Sequence, residues 1–126
     1  AIKIWDIRDE IDSTLGLKKY EIVVCTEVGE HIEPEFANTM LQNIKALTEG
    51  VLVLSWSPHG GENERDKDPH HQHLNPLKFP QVIDLMEKNG FEWWRRPSQA
   101  LLKNSFQFDD FHYWWRQSLS VWRVKQ

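Results

Sequence analysis

Two short apolar runs dominate the hydropathy pattern of the chain. Residues 20–25 and 51–56 are almost continuously apolar and rich in β-branched side chains, which is typical of strands covered on both faces of a sheet. Between them, apolar positions recur at steps of three and four residues, at Phe36, Met40, Leu41, Ile44 and Leu47. This spacing predicts a helix with one buried face over residues 35–47, ended by Gly50. Strand, helix and strand with a tight exit predict a right-handed parallel crossover.

The remaining pattern predicts further elements around a long polar loop. These are a first strand over residues 2–7, a helix over 76–89 ended by Asn89 and Gly90, a short strand over 91–94, a weaker helix from Pro97, an aromatic-rich segment over 111–116 and a last strand over 118–124. The last strand alternates, so we expect it to be half-buried or near a sheet edge. Residues 57–75 lack an apolar pattern, and so long a loop in a compact domain is usually functional or mobile.

Length and composition limit the class of protein. A chain of 126 residues is large enough for one domain with a real core, and we treat residues 1–126 as that single domain. A net charge of -4 gives no basic excess, so a nucleic-acid partner is not expected. No apolar run approaches the ~20 residues that span a bilayer. The single cysteine, Cys25, excludes an intrachain disulfide and favours a packed thiol in the reducing cytoplasm.

Candidate chemistry follows the first apolar run. Glu27, Glu30 and His31 are spaced by three and four residues, and Pro34 comes next, which suits the first turn of a helix. If the chain becomes helical near Glu27, the three side chains gather at the C-terminal end of a buried strand, where open α/β sheets bind ligands. The alternative is structural, because acidic residues are favourable at the positive end of a helix. As a site residue, His31 is suited to accept a proton at neutral pH.

These pieces, taken in order, resemble one enzyme family. The run Glu-Val-Gly-Glu-His-Ile over residues 27–32 is followed by a helix, VLVLSWSP, His-Leu-Asn over 73–75 and a helix that ends Asn-Gly-Phe over 89–91. This order resembles class I S-adenosylmethionine-dependent methyltransferases, in the branch that includes ubiquinone-pathway O-methyltransferases. The resemblance extends from Asp6 to Val124. It implies an α/β fold: a partial Rossmann-like sheet, mostly parallel with an antiparallel last strand, and helices on both faces.

The resemblance also implies roles for individual residues. Its expected cofactor-binding residues are Asp6, which accepts from the adenine amino group, Ile7 beside it, and Cys25, Thr26 and Glu27 near the methionine part of S-adenosylmethionine. The expected catalytic residues are Glu30, His31 and His73, where His73 belongs to a loop that covers the acceptor. In ubiquinone-pathway members the positions of Glu27, Glu30 and His31 can hold a divalent cation. We assign no metal ligand, and a divalent metal stays an open alternative.

The strongest signature of the family, an acidic residue with a glycine-rich turn after the first strand, is absent from this sequence. Gly60 and Gly61 follow a later strand and do not replace it. The strands of the family lie side by side in the order 3-2-1-4-5-7-6. This chain begins at the family's third strand, and it lacks the pieces that would lie between the strand of Asp6 and the strand of Tyr20. We therefore expect a C-terminal portion or a truncated form of the domain. Its strand over residues 20–25 would have an unpaired apolar edge, covered by self-association, by strand exchange or by residues 2–7.

Three functions stay open at this stage. The first is methyl transfer to a small-molecule or glycan-type acceptor, incomplete and weak or inactive in this chain alone, with self-association through the edge of residues 20–25. The second is a non-catalytic oligomeric remnant or interaction module. The third is a metal-dependent hydrolase that uses the long loop, whose candidate ligands are His59, Asp66, Asp68, His70, His71 and His73.

Overall fold

The computed structural model describes residues 2–60, 72–106 and 118–126. In these ranges the strands are β1 (Tyr20–Thr26), β2 (Thr48–Ser55), β3 (Phe91–Trp93) and β4 (Ser120–Val124), and the helices are α1 (Ala37–Leu47), α2 (Phe79–Lys88) and α3 (Arg95–Ser105). Short 3-10 turns occur at Ser13–Leu15, Gly29–His31 and Pro34–Phe36. The aromatic-rich segment expected over 111–116 lies outside the described residues. No helix in the described ranges is long and apolar enough to cross a membrane.

The four strands form one sheet in the order β1-β2-β4-β3. β1 is parallel to β2, and β4 is antiparallel to both β2 and β3. Three strands therefore run in one direction, and only β4 opposes them. This arrangement confirms the predicted α/β class with a mostly parallel sheet and an antiparallel last strand.

The β1-α1-β2 unit forms as the apolar spacing predicts. The buried side chains of α1 are Ala37, Met40, Leu41 and Ile44, which belong to the same core as Cys25, Leu52 and Leu54 of the two strands. The helix ends at Leu47, as predicted, but the role of Gly50 as its stop was wrong, because Gly50 lies inside β2. A Cβ at Gly50 would lie 2.4 Å from the carbonyl oxygen of Glu21, so this glycine permits close pairing of β1 with β2.

The second half of the core is built by α2, β3 and β4. Val82 and Met86 of α2 pack with Phe91 and Trp122, all of which are buried. The helix ends at Asn89 and Gly90, as predicted, and Gly90 has the positive φ of 83° that a left-handed residue after a helix requires. α3 begins directly after β3 and packs against β4.

Two strand predictions were wrong about burial. β4 lies between β2 and β3 rather than near an edge, and Trp122 at its centre is 0% exposed. β1, which we expected to be covered on both faces, lies at the edge of the sheet. Ile22 is 65% exposed and Val24 is 64% exposed on its uncovered face.

The strand predicted over residues 2–7 is absent. Ile2 and Ile4 are 94% and 92% exposed and belong to no strand. Asp6 instead accepts hydrogen bonds from the backbone and side chain of Arg8, which closes a local turn. β-branched composition alone did not form a strand there, because a strand also requires pairing with a neighbour, and these residues pair with no strand of the described sheet. These residues therefore do not cover the edge of β1.

Candidate functional site

The candidate site lies where the parallel strands β1 and β2 end. Glu27 follows β1 and has a φ of 54°, the one positive φ of a non-glycine residue in the described part of the chain. Its backbone N–H donates to Ser55 Oγ at the end of β2, over 2.9 Å. A left-handed glutamate is unfavourable for an isolated chain, and such conformations concentrate at functional sites. The residue therefore directs the chain abruptly out of the sheet.

The turn after Glu27 is pressed against the end of β2. A Cβ at Gly29 would lie 2.4 Å from the ring of Trp56, so only glycine fits at this position. The expected helix near Glu27 is not formed: residues Gly29–His31 make a 3-10 turn, and α1 begins only at Ala37. The side chains still gather, because the tight turn places Glu30 and His31 beside the loop that returns at residues 72–75.

Backbone hydrogen bonds attach that returning loop to the turn. The carbonyl of Glu30 accepts from the N–H groups of Leu74 (2.8 Å) and Asn75 (2.9 Å). The carbonyl of Asn75 in turn accepts from the indole N–H of Trp56 over 2.7 Å. This network brings His73 to His31, whose rings meet edge to face with centroids 4.7 Å apart. Potential ligand atoms of Glu30, His31 and His73 all lie within 4.8 Å of one another.

The three residues expected to be catalytic are thus neighbours in space, although 42 positions separate His31 from His73. His31 Nδ1 lies 3.0 Å from the carbonyl oxygen of Gln72, and His73 Nδ1 contacts the carbonyl oxygen of His59. A carbonyl only accepts hydrogen bonds, so each Nδ1 carries the proton. Nε2 is then the basic nitrogen of each neutral ring.

Two buried carboxyl groups complete the cluster. Glu30 is 1% exposed and its Oε2 has no hydrogen-bond partner among the described residues, and neither carboxyl oxygen of Glu27 has one. Burial, together with the nearby charge of Glu30, raises the pKa of Glu27 to about 8. Glu27 is therefore largely protonated at neutral pH, which keeps two charged carboxylates from being buried side by side.

The other expected cofactor residues have different surroundings. Cys25 is 7% exposed in the core, where burial and the charge of Glu30 raise the pKa of its thiol to about 12. Its side chain is packed and unreactive, so a cofactor contact there would use the backbone. Thr26 ends β1 and is exposed.

Asp6 and Ile7 do not join the cluster. Asp6 binds Arg8 over 2.7 Å, and Arg8 also binds Glu33 over 3.1 Å. The hydrogen bonds from Arg8 lower the pKa of Asp6 to about 2. The carbonyl of Ile7 accepts from Asn43 Nδ2 of α1 over 2.9 Å. The adenine-binding role of Asp6 relied on a strand that is absent, so it stays a prediction without structural support.

Sequence reasoning missed the residues that position the cluster. Ser55 accepts from the backbone N–H of Glu27, and the ring of Trp56 packs on Gly29. The carbonyls of His59 and Gln72 orient the two imidazoles. The SWSP segment directly after an apolar strand was a usable signal for the first two. Backbone carbonyls carry no sequence signal. Of the hydrolase ligands, Asp66, Asp68, His70 and His71 lie outside the described residues.

Comparison with known proteins identifies the fold. No protein-family model matches the chain, and no curated protein matches it. A crystal structure of magnesium protoporphyrin IX methyltransferase from Synechocystis PCC 6803 with bound SAH superimposes with a TM-score of 0.54 at 17% identity, over 97% of this chain and 49% of that one. The chain therefore spans about half the length of this methyltransferase. Phosphoethanolamine N-methyltransferase 2 of Haemonchus contortus matches with a TM-score of 0.42 at 16% identity, over 84% of this chain and 33% of that one. The fold assignment relies on the first match.

Proposed function

We propose that this chain is the C-terminal portion of a class I S-adenosylmethionine-dependent methyltransferase domain and carries its acceptor side. The observation that carries the proposal is the cluster of Glu27, Glu30, His31 and His73 at the carboxyl ends of parallel strands. The sheet order β1-β2-β4-β3 supports it, because it equals the last four positions, 4-5-7-6, of the methyltransferase order. The expected acceptor is a small molecule or a glycan, and the single buried cysteine fits the cytoplasm.

The residues of the cluster have distinct parts in this reaction. When bound, S-adenosylmethionine supplies a methyl group on a sulfonium centre. His31 Nε2 is the base that would accept the proton of an acceptor hydroxyl when the cofactor supplies its methyl group. The Gln72 carbonyl holds the ring in this tautomer through Nδ1. Glu30, with its carboxyl close to His31, stabilises the resulting imidazolium.

Titration with S-adenosylhomocysteine, followed by amide NMR, tests this proposal. We expect weak binding of the isolated chain, in the millimolar range, with shifts confined to Thr26, Glu27 and the Gly29–His31 turn. Glu27→Gln and His31→Asn should weaken this binding, whereas the matched control Glu87→Gln, at an exposed position of α2, should not. Shifts elsewhere would refute the site. Micromolar affinity with shifts at these residues would keep the site and would refute only the proposal that the cofactor pocket is incomplete.

We further propose that a second copy of the chain covers β1. In the described part of the chain β1 pairs with β2 alone, and its outward face exposes Tyr20, Ile22 and Val24 at 52%, 65% and 64%. An unpaired apolar strand is a template for pairing with another chain. This edge is where the family order 3-2-1-4-5-7-6 continues with strand 1.

Sedimentation equilibrium tests the assembly. We expect a dimer of the 15.0 kDa chain that becomes monomeric in the Ile22→Lys/Val24→Lys variant. The matched control, Ile2→Lys/Ile4→Lys, also replaces two exposed β-branched residues but lies off the sheet and should stay dimeric. A monomeric wild-type chain at high micromolar concentration would contradict self-association. A dimer that binds no S-adenosylhomocysteine would favour the non-catalytic alternative.

A divalent metal ion is the second candidate ligand of the same cluster. The residues fit it chemically, since Glu30, His31 and His73 offer one carboxylate and two imidazole ligands, and Glu30 Oε2 has no partner among the described residues. Such an ion would act as a Lewis acid on the acceptor oxygen. Calorimetry with Zn²⁺ and Mn²⁺ tests it: binding lost in both His31→Ala and His73→Ala, and retained in Glu33→Gln, would support the metal. Binding that survives both histidine changes would exclude this site.

A further inference from the structure

A cavity of about 380 Å³ lies beside the cluster, at the carboxyl end of β2 and the start of α2. Apolar atoms predominate on its walls, and the residues that matter here are Trp56, Pro58, His59, Leu77, Lys78 and Phe79. Its volume falls within the ~300–1,000 Å³ of small-molecule sites. The cavity is therefore large enough for a compact organic molecule.

Two residues that line the cavity also contact the cluster or the turn that carries it. His59 lines the cavity, and its carbonyl contacts Nδ1 of His73. Trp56 lines it as well, while its ring packs on Gly29 and its indole N–H donates to the carbonyl of Asn75. The cavity therefore adjoins the cluster through His59 and Trp56.

Charge is distributed unevenly across this continuous region. Lys78 is the cation on the cavity wall, and none of the described residues that line the cavity is acidic. The cluster beyond His59 contains the two buried carboxyl groups of Glu27 and Glu30. A ligand with an anionic end matches the cavity, and a neutral proton-donating group matches the cluster.

We propose that this cavity binds a small organic acid, with its apolar body against Pro58, Leu77 and Phe79 and its carboxylate facing Lys78. This inference rests on the proposed function in one respect: it identifies this acid as the methyl acceptor, with its hydroxyl directed toward His73 and His31. Binding of the acid itself requires no cofactor.

Three probes of one size and shape test the cavity: benzoate, benzamide and benzylamine, titrated separately without cofactor and followed by amide NMR. We expect benzoate to shift the amides of His59, Leu77, Lys78 and Phe79. It should bind about three- to fivefold more tightly than benzamide, which is the ratio that one exposed charge pair gives, and benzylamine should bind most weakly. Equal affinities for the three probes, or shifts away from these amides, would overturn the proposal.

Lys78→Gln is the decisive variant. It should abolish the preference for benzoate over benzamide while leaving benzamide affinity unchanged, because only the charge is removed. The matched control Lys88→Gln removes an exposed lysine from the other end of α2 and should keep the preference. Retention of the preference in Lys78→Gln, or its loss in Lys88→Gln, would show that Lys78 does not select the ligand.

The experiment separates this inference from the proposed function. If benzoate binds as expected but S-adenosylhomocysteine binds nowhere on the chain, the cavity assignment stands and methyl transfer fails. If S-adenosylhomocysteine binds at the Gly29–His31 turn but the cavity binds the three probes equally, the proposal of methyl transfer stands and the acceptor is not an acid.

Discussion

β1 and β4 have similar apolar sequences and opposite surroundings. β1 contains Ile22, Val23 and Val24, yet its outward face is about two-thirds exposed, whereas Val121 and Trp122 of β4 are buried. The difference is one of position: β4 pairs on both sides, with β2 and β3, and β1 pairs with β2 alone among the described residues. Local hydrophobicity therefore did not decide which strand is buried.

The comparison separates a strand whose apolar side chains are buried within this chain from one that leaves an apolar face exposed. Trp122 belongs to the same core cluster as buried residues of α1, α2 and the neighbouring strands, so β4 is stabilised by packing within this chain. β1 contributes one face to the same core through Cys25 and leaves its other face to solvent. This exposed apolar face is the one on which we proposed that a second copy of the chain packs.

The largest expected effect is at the centre of β4. Trp122→Ala removes a fully buried indole and should lower the free energy of unfolding by about 3–5 kcal/mol. Trp94→Ala is the matched control, since Trp94 is 39% exposed and should lose about 1 kcal/mol or less. Urea denaturation of the two variants measures both values. Equal losses would contradict the ranking of buried and exposed positions.

Ser98 should have the next largest effect, because it connects α3 to β4. Its buried hydroxyl accepts from the N–H of Val121 over 2.8 Å and from the indole N–H of Trp93 over 3.0 Å. Ser98→Ala leaves these donors without a partner and should cost about 1–3 kcal/mol in chemical denaturation. Ser105→Ala, whose hydroxyl bonds Leu102 within its own helix, should cost less than half as much. If Ser98→Ala leaves the free energy of unfolding unchanged, water replaces the lost hydrogen bonds.

Glu27 makes the end of β1 sensitive to pH. Folding raises the pKa of this carboxyl from its ordinary 4.5 to about 8, mainly because of burial. The folded protein keeps a proton that the unfolded chain releases, so stability falls as pH rises from 4.5 to about 8. In buffer with a chelator, the melting temperature of wild type should fall across this range, and Glu27→Gln should flatten the fall. Glu87→Gln, at an exposed position, should not change the fall of the melting temperature. An unchanged fall in Glu27→Gln would refute the raised pKa of Glu27 as its cause.

The smallest effect on stability is expected on the open face of β1. Val24→Thr should change the free energy of unfolding of the monomer by less than about 0.5 kcal/mol, because its side chain is 64% exposed. The same change at Val121, which is 6% exposed on β4, should cost about 1–3 kcal/mol. Denaturation at low protein concentration, where a dimer dissociates, measures the pair. A costly Val24→Thr there would show that this face is covered within one chain.

Much of the candidate site could be predicted, for an identifiable reason. Glu27, Glu30 and His31 follow an apolar strand within five residues, so their closeness needs only the strand end and a tight turn. His73 was placed with them through a family resemblance, and the carbonyl of Glu30 explains the contact by holding Leu74 and Asn75. The left-handed Glu27 and the contact of Gly29 with Trp56 could not be predicted, because they depend on how closely two strand ends approach.

The sequence by itself determined the order of strands and helices in the core, since apolar periodicity encodes which residues each element buries. It determined the helix ends less well: Asn89 and Gly90 were identified by their backbone preferences, whereas Gly50 was mistaken for a helix stop. Only the tertiary structure decided that, in the described sheet, β4 is central, β1 is at the edge and residues 2–7 join no strand. The reason is physical: a strand is stabilised by hydrogen bonds and packing from neighbours, and neighbours are set by the whole sheet rather than by local sequence.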